Sequence, residues 1–267
     1  MNQERYMYIF EIIKPGTWLD YDDRDWSWEV EGILRSLEGQ FYEANLALNM
    51  FLHSIQRDRD SHSQEKWEAE SNRRSAIRRE VEEKYDNPHD REVWDEIQLE
   101  TEIIFKREQW QSGELPREFV HNQSFMHARA FLYALDSFDK FLNVLKKQPN
   151  VPPVLEEFYT RFGEAFPHLR GVRNSSQHME DRSRGLGAGR NPQPLELKPI
   201  DNGFIKAEGG ALVLNSLNGT KYGNTMADGH YGEVDVSPPS MEALHSIFQD
   251  ILNSFKWKGS KCHLPSS

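Results

Sequence analysis

From Trp26 to about Arg57 the apolar residues Val30, Ile33, Leu37, Phe41, Ala44, Leu48, Phe51 and Ile55 recur three and four apart, which predicts one long amphipathic helix. A second such stripe runs from about Arg117 to Lys147 through Phe125, Ala128, Leu132, Leu135, Phe138, Leu142 and Leu145. Two long helices with continuous apolar faces predict the core of a helical bundle. Between them the stripe thins. Ser61 to Tyr85 is rich in Arg and Glu and offers only Trp67, Ile77, Val81 and Tyr85 as apolar anchors, and Asn87-Pro88 separates it from Asp90 to Trp110. This reads as a polar helical hairpin over residues 61–112, either a solvated projection or a surface for a partner.

After Gln148 to Pro153 the pattern predicts a helix from Val154 to Ala165, and Pro167 suits the first turn of another that ends by Gly185. Gly185 to Pro194 reads as a flexible connection at the start of a linker over residues 186–210. The period then changes. Ala211 to Leu217, Thr220 to Ala227 and His230 to Val236 are separated by Asn218-Gly219 and Asp228-Gly229, which predicts a three-stranded antiparallel meander. Ser237-Pro238-Pro239 opens a closing helix that reaches about Trp257 and carries Leu244, Phe248, Ile251 and Phe255 on one face. Residues 1–25 read as an arm with a short strand at Tyr6 to Lys14, and residues 258–267 as a mobile tail in which Cys262 is an incidental exposed thiol. The expected architecture is therefore mainly α: a bundle over 26–185, the linker, and a small meander with its closing helix over 211–257.

Composition narrows the function. The chain has 267 residues, 32 Lys and Arg against 43 Asp and Glu, a formal net charge of -11 and one Cys. A single Cys excludes an intrachain disulfide and a multi-thiolate zinc site. There is no His-Glu-x-x-His pattern, and His121 and His127 are six apart, so neither a required metal nor a cofactor is expected. No stretch approaches the roughly 20 apolar residues that cross a bilayer, and a cytoplasmic protein without membrane contact is the expectation. An acidic chain does not coat nucleic acid through bulk charge, so any RNA site must be local.

One local excess of positive charge exists. Between His168 and Arg190 five Arg stand against Glu180 and Asp181. If His168 to Arg182 is one helix, Leu169, Val172 and Met179 share a side, Arg170, Asn174 and His178 stack four apart on another, and Arg173 and Gln177 lie beside them. Arg forks onto phosphate oxygens and His exchanges a proton near neutral pH, so the stripe holds the parts for cleaving a phosphodiester without metal. Elsewhere Gly185-x-Gly187-x-Gly189 does not match a dinucleotide fingerprint, Ser175-Ser176 lack a nucleophile elbow, and Tyr222 and Tyr231 either stack on bases or pack across strands.

Arg173, four intervening residues and His178, with Asn174 directly after the Arg, resemble the Arg-x4-6-His motif of the HEPN superfamily (higher eukaryotes and prokaryotes nucleotide-binding), and Glu180-Asp181-Arg182 is similar to its prokaryotic members. The resemblance covers about residues 26 to 185. It implies a helical bundle acting as a metal-independent endoribonuclease in a toxin–antitoxin or anti-phage system, with His178 as general acid or base and Arg173 stabilising charge on the phosphorus. Asn174, Arg170, Gln177 and Arg182 would bind or orient the RNA. Five residues rotate an ideal helix by about 140°, so one copy presents the pair poorly and a homodimer through this helix is expected. An antitoxin or another regulatory protein is a further implied partner. The reading from a different class is a non-catalytic interaction or regulatory protein that uses the same helix to bind a nucleotide, an antitoxin or a partner protein.

Overall fold

The computed structural model describes residues 7–60 and 64–266. Tyr6, Ser61 and Ser267, which the expected strand, hairpin and tail include, lie outside the described residues. In chain order the elements are β1 (Ile12–Lys14), β2 (Trp18–Leu19), α1 (Arg24–Asp60), α2 (Gln64–Glu82), α3 (Arg91–Gln111), α4 (Arg117–Leu145), α5 (Leu155–Ala165), α6 (Leu169–Gln177), α7 (Met179–Arg182), β3 (Ile200–Asp201), β4 (Lys206–Ala207), β5 (Ser216–Asn218), β6 (Lys221–Thr225), β7 (Tyr231–Asp235), α8 (Pro238–Asn253), β8 (Trp257–Lys258) and β9 (Cys262–Leu264). The fold is mainly α, and no described helix is long and apolar enough to cross a membrane.

The chain divides into two compact units, Met1–Phe51 with Phe125–Ser267 and Leu52–Ser124. The first holds most of α1 and α4 together with α5 to α8 and the meander, and the second holds the polar hairpin with the end of α1 and the start of α4. In the first unit the predicted apolar stripes meet. Phe41 of α1 lies 5.4 Å from Phe248 of α8, Phe248 meets Phe138 of α4 edge-on at 5.7 Å, and Phe138 stacks on Phe162 of α5 at 5.7 Å. Helix α8 starts where Ser237 caps it through the Ser240 amide and Pro238 takes the first position, where a missing N–H has no consequence. It stops at Asn253, short of Trp257, which belongs to β8.

The meander forms with shorter strands, ordered β5-β6-β7 and antiparallel throughout. Asn218 pairs with Lys221, so the first turn is Gly219-Thr220, one residue later than Asn218-Gly219. The tail is a correction. Residues expected to be mobile pair with the N-terminal arm, β9 with β1 (Ile13 opposite His263) and Lys258 of β8 with β2 (opposite Trp18). Gln249 of α8 clamps both backbone groups of Ile13 at 2.8 Å, and Cys262 is half-buried on β9. The connection after Gly185 is also held: Gly187 N–H donates to Gln193 O at 2.7 Å, Leu195 N–H to Gly185 O at 2.7 Å and Lys198 N–H to Gly229 O at 3.0 Å.

In the second unit α2 and α3 pack around Ile77, Val81, Ile97 and Phe105, with Tyr85, Val93 and Ile104 at the margin. Trp67, expected as an anchor, is exposed. Ion pairs between the helices line this small core, including Arg73 with Glu108 at 2.6 Å and Arg74 with Glu102 at 2.9 Å, and Lys84 beyond the end of α2 pairs with Glu100 at 2.6 Å.

Candidate functional site

Helix α6 carries the Arg-rich stripe and lies against β6 and β7. Gly171 permits the approach, because a Cβ there would collide with the Met226 sulfur. Ser176 Oγ fixes the same contact: it donates to Val172 O at 3.0 Å, sits 3.1 Å from the Tyr222 hydroxyl and accepts from Asn224 Nδ2 at 2.9 Å. The Tyr222 hydroxyl lies 2.9 Å from Asn215 Oδ1, and Asn215 N–H donates to Asn224 Oδ1 at 2.7 Å. Every buried polar group of this network has a partner, which makes it a rigid seat for α6. Tyr222 is wholly buried and does not present a face to a base, and burial pushes the Tyr231 hydroxyl up to about 12. Packing inside the protein is the use made of the Tyr222 ring, and the half-buried Tyr231 ring lies against Gly223 of β6.

The stripe is not one helix. The His178 amide still donates to Asn174 O at 3.0 Å, but His178 itself has φ -114° and ψ 44°, so α6 stops at Gln177 and α7 is a separate single turn. The rotation expected for an ideal helix therefore does not set the direction of His178. The break turns Arg182 inward, contrary to its expected place at the substrate. Its guanidinium is buried and donates to Ser175 Oγ at 3.2 Å, Leu186 O at 2.6 Å and Gly187 O at 2.7 Å, bridging α6 to the loop after α7.

Arg173 points to α4. Its side chain is 12% exposed and pairs with Asp136, 7% exposed, at 2.6 Å, while its other terminal nitrogen donates to Gln177 Oε1 at 2.5 Å. Among the described residues Arg173 Nε is buried without a hydrogen-bond partner. Asp136 also binds Lys140 Nζ at 2.6 Å. Sequence reasoning missed Asp136, although a carboxylate between Leu135 and Phe138 on a buried face must find a counter-charge. Arg170 is exposed, and Asn174 is half-buried with no side-chain hydrogen bond among the described residues. His178 is exposed, 3.6 Å from Glu180, and Arg184 pairs with Asp181 at 2.6 Å. The structure thus brings together Arg173, Gln177 and Asp136, leaves Arg170 and His178 at the surface, and removes Arg182. His178, Glu180 and the half-buried Asp181 place ligand atoms within 4.8 Å of one another.

Asp139, one turn from Asp136, titrates above the ordinary aspartate value of 3.8, chiefly through burial and then through the Asp136 charge, with Arg170, Lys140 and Lys146 opposing. A raised folded-state value means that Asp139 contributes stability fully below its ordinary range and loses it as pH rises through the shifted range. Asp139→Asn is accordingly expected to gain melting temperature relative to the parent as pH climbs upward from about 4, with the gain levelling off once Asp139 is ionised. A difference constant across that range in paired melts would show that Asp139 is not the titrating group.

Comparison with protein-family models, with curated proteins and with solved structures gave no match.

Proposed function

We propose that this chain is a metal-independent endoribonuclease of HEPN type, with a site completed by a second copy of α6. The observation that carries the reading is the Asp136–Arg173 pair. A buried carboxylate holds one arginine of an Arg-x4-His motif in a fixed orientation, while His178, on the adjoining break, stays in solvent. Such an arginine is held in one orientation, and a phosphate that reached it would compete with Gln177 for one of its terminal nitrogens. In the proposed step the ribose 2′-oxygen attacks phosphorus as its proton leaves to one His178, and the 5′-oxygen departs with a proton from the other copy's His178, leaving a 2′,3′-cyclic phosphate and a 5′-hydroxyl. Arg173 would offset the charge gathering on the non-bridging oxygens. A cytoplasmic effector of a toxin–antitoxin or anti-phage system is the setting the resemblance suggests.

A second reading, a non-catalytic interaction protein, is favoured by the depth of Arg173, which is engaged at both terminal nitrogens. One experiment separates them. Purified protein is incubated with mixed tRNA and single-stranded RNA in EDTA, beside His178→Ala, and fragment ends are analysed. Fragments with cyclic phosphate ends that vanish in the variant are expected. Cleavage abolished by EDTA would point instead to a cation at His178, Glu180 and Asp181. Cleavage retained by the variant would remove His178 from the chemistry, and no cleavage of either RNA by the parent would favour the interaction protein.

A further inference from the structure

Helix α3 has two faces. One, with Ile97, Thr101 and Phe105, is buried against α2. The opposite face presents Glu92, Glu96, Leu99, Ile103, Lys106 and Trp110, all exposed and alternately four and three residues apart. That spacing is the seam of a two-helix coiled coil. Leu99 is 62%, Ile103 38% and Trp110 48% exposed. Scattered apolar residues on a surface need no explanation. Apart from Trp94, over whose ring Arg78 of α2 lies, the exposed large apolar residues of this helix all fall on that one seam.

The seam is also self-complementary. Leu99 and Ile103 lie two residues either side of Thr101, Glu96 and Lys106 five, and Glu92 and Trp110 nine. An antiparallel copy related by a two-fold axis at the level of Thr101 therefore sets Leu99 against Ile103 and Glu96 against Lys106, each contact occurring twice. A parallel copy would set glutamate against glutamate and lysine against lysine. The glutamates flanking the axis, Glu100 and Glu102, already hold Lys84 and Arg74 of their own chain, which offsets their mutual repulsion.

From these observations we infer that α3 is a self-association surface and that its partner is the antiparallel α3 of a second copy of this chain. The seam is about 27 Å long. A single helix pair lies at the small end of specific interfaces, so the association should be reversible, with Kd on the order of 10 μM. It is independent of the ribonuclease reading and of any pairing through α6.

Sedimentation equilibrium on the full chain from about 1 to 200 μM, a span that brackets that Kd, tests the inference. Glu96→Lys alone and Lys106→Glu alone should each weaken association at least roughly tenfold, because every cross-seam ion pair becomes a like-charge pair. An equimolar mixture of the two variants should recover the parent's mass. In the mixed pair the introduced lysine of one chain faces the introduced glutamate of the other, and the unchanged Lys106 of the first faces the unchanged Glu96 of the second. An α6-mediated dimer would form equally in all these samples and would not respond to mixing. Far-UV circular dichroism should stay unchanged, as both substituted positions are exposed. Association unaffected by the single variants, a mixture no heavier than either alone, or a parent whose mass does not rise over this range would each overturn the assignment.

Discussion

Arg182→Met is expected to cost about 4 kcal/mol of stability, the largest loss from any substitution in the α6–α7 region. Methionine keeps much of the aliphatic volume, so the loss isolates the guanidinium. That group is buried and donates to Ser175 Oγ, Leu186 O and Gly187 O. Hydrogen bonds to a charged donor contribute about 1.5–3 kcal/mol each, and each carbonyl left without a donor in the interior costs about 1–3 kcal/mol, partly overlapping with the first figure. Removal of a buried charge returns some of this through relieved desolvation, which is why the expected loss falls below the sum of the parts. At roughly 2–4 °C per kcal/mol for a chain of this size, the melting temperature should fall by about 10 °C. Arg182→Lys should rescue little, because an ammonium is a point donor and cannot span the same forked set of acceptors. Faster amide exchange at Gly187 and Leu195, whose N–H groups close the loop on Gln193 O and Gly185 O, would accompany the loss. A melting temperature within about 2 °C of the parent, equivalent to less than about 1 kcal/mol, would show that the loop is held by its own backbone bonds.

Arg182 also shows where sequence reading fails. An arginine in a run of charge reads as surface, and the signal that it turns inward is a helix break at His178 that no Gly or Pro marks. The same limit explains the termini. Strands of two or three residues leave no period, and β1 meets β9 across nearly the whole chain, so a paired arm and tail read as an arm and a loose end. What periodicity could carry, it carried: Phe41, Leu48 and Phe51 of α1, Leu132, Leu135 and Phe138 of α4, and Leu244, Phe248 and Ile251 of α8 are all buried. The site was legible to the level of one helix. Arg173 and His178 could be named from spacing, whereas the partner of Arg173 lies on a different helix and enters only when α4 and α6 meet. Asp136 was nonetheless detectable, since a carboxylate inside an apolar stripe implies a cation facing it. The α3 seam was overlooked for the opposite reason: six positions split between glutamate, lysine and apolar residues look like an ordinary solvated face until the burial of Thr101 and Phe105 shows which side is free.

The second large effect divides folding from chemistry. Asp136→Asn should destabilise the chain by about 3 kcal/mol, because it leaves the nearly buried Arg173 guanidinium without its counter-charge. Lys140, which also binds Asp136, is exposed and adds little to that figure. His178→Ala should change stability by less than about 0.5 kcal/mol, since His178 is a surface side chain beyond the end of α6. On the ribonuclease reading their effects on cleavage run the other way round in origin. His178→Ala removes the proton-transfer group and should lower the rate by about 10²–10⁴-fold with the fold intact. Asp136→Asn leaves that group in place and lowers the rate only by letting Arg173 move, so cooling until the variant is fully folded should not restore the rate the parent shows at the same temperature. Arg173→Ala beside Asp136→Asn then completes a cycle: if Asp136 acts through Arg173, the double variant cleaves no more slowly than Arg173→Ala alone. Additive losses in that cycle would mean that Asp136 reaches the RNA by a route of its own. Equal cleavage by the parent, both single variants and the double variant would leave the pair a structural clamp and remove Arg173 from the chemistry.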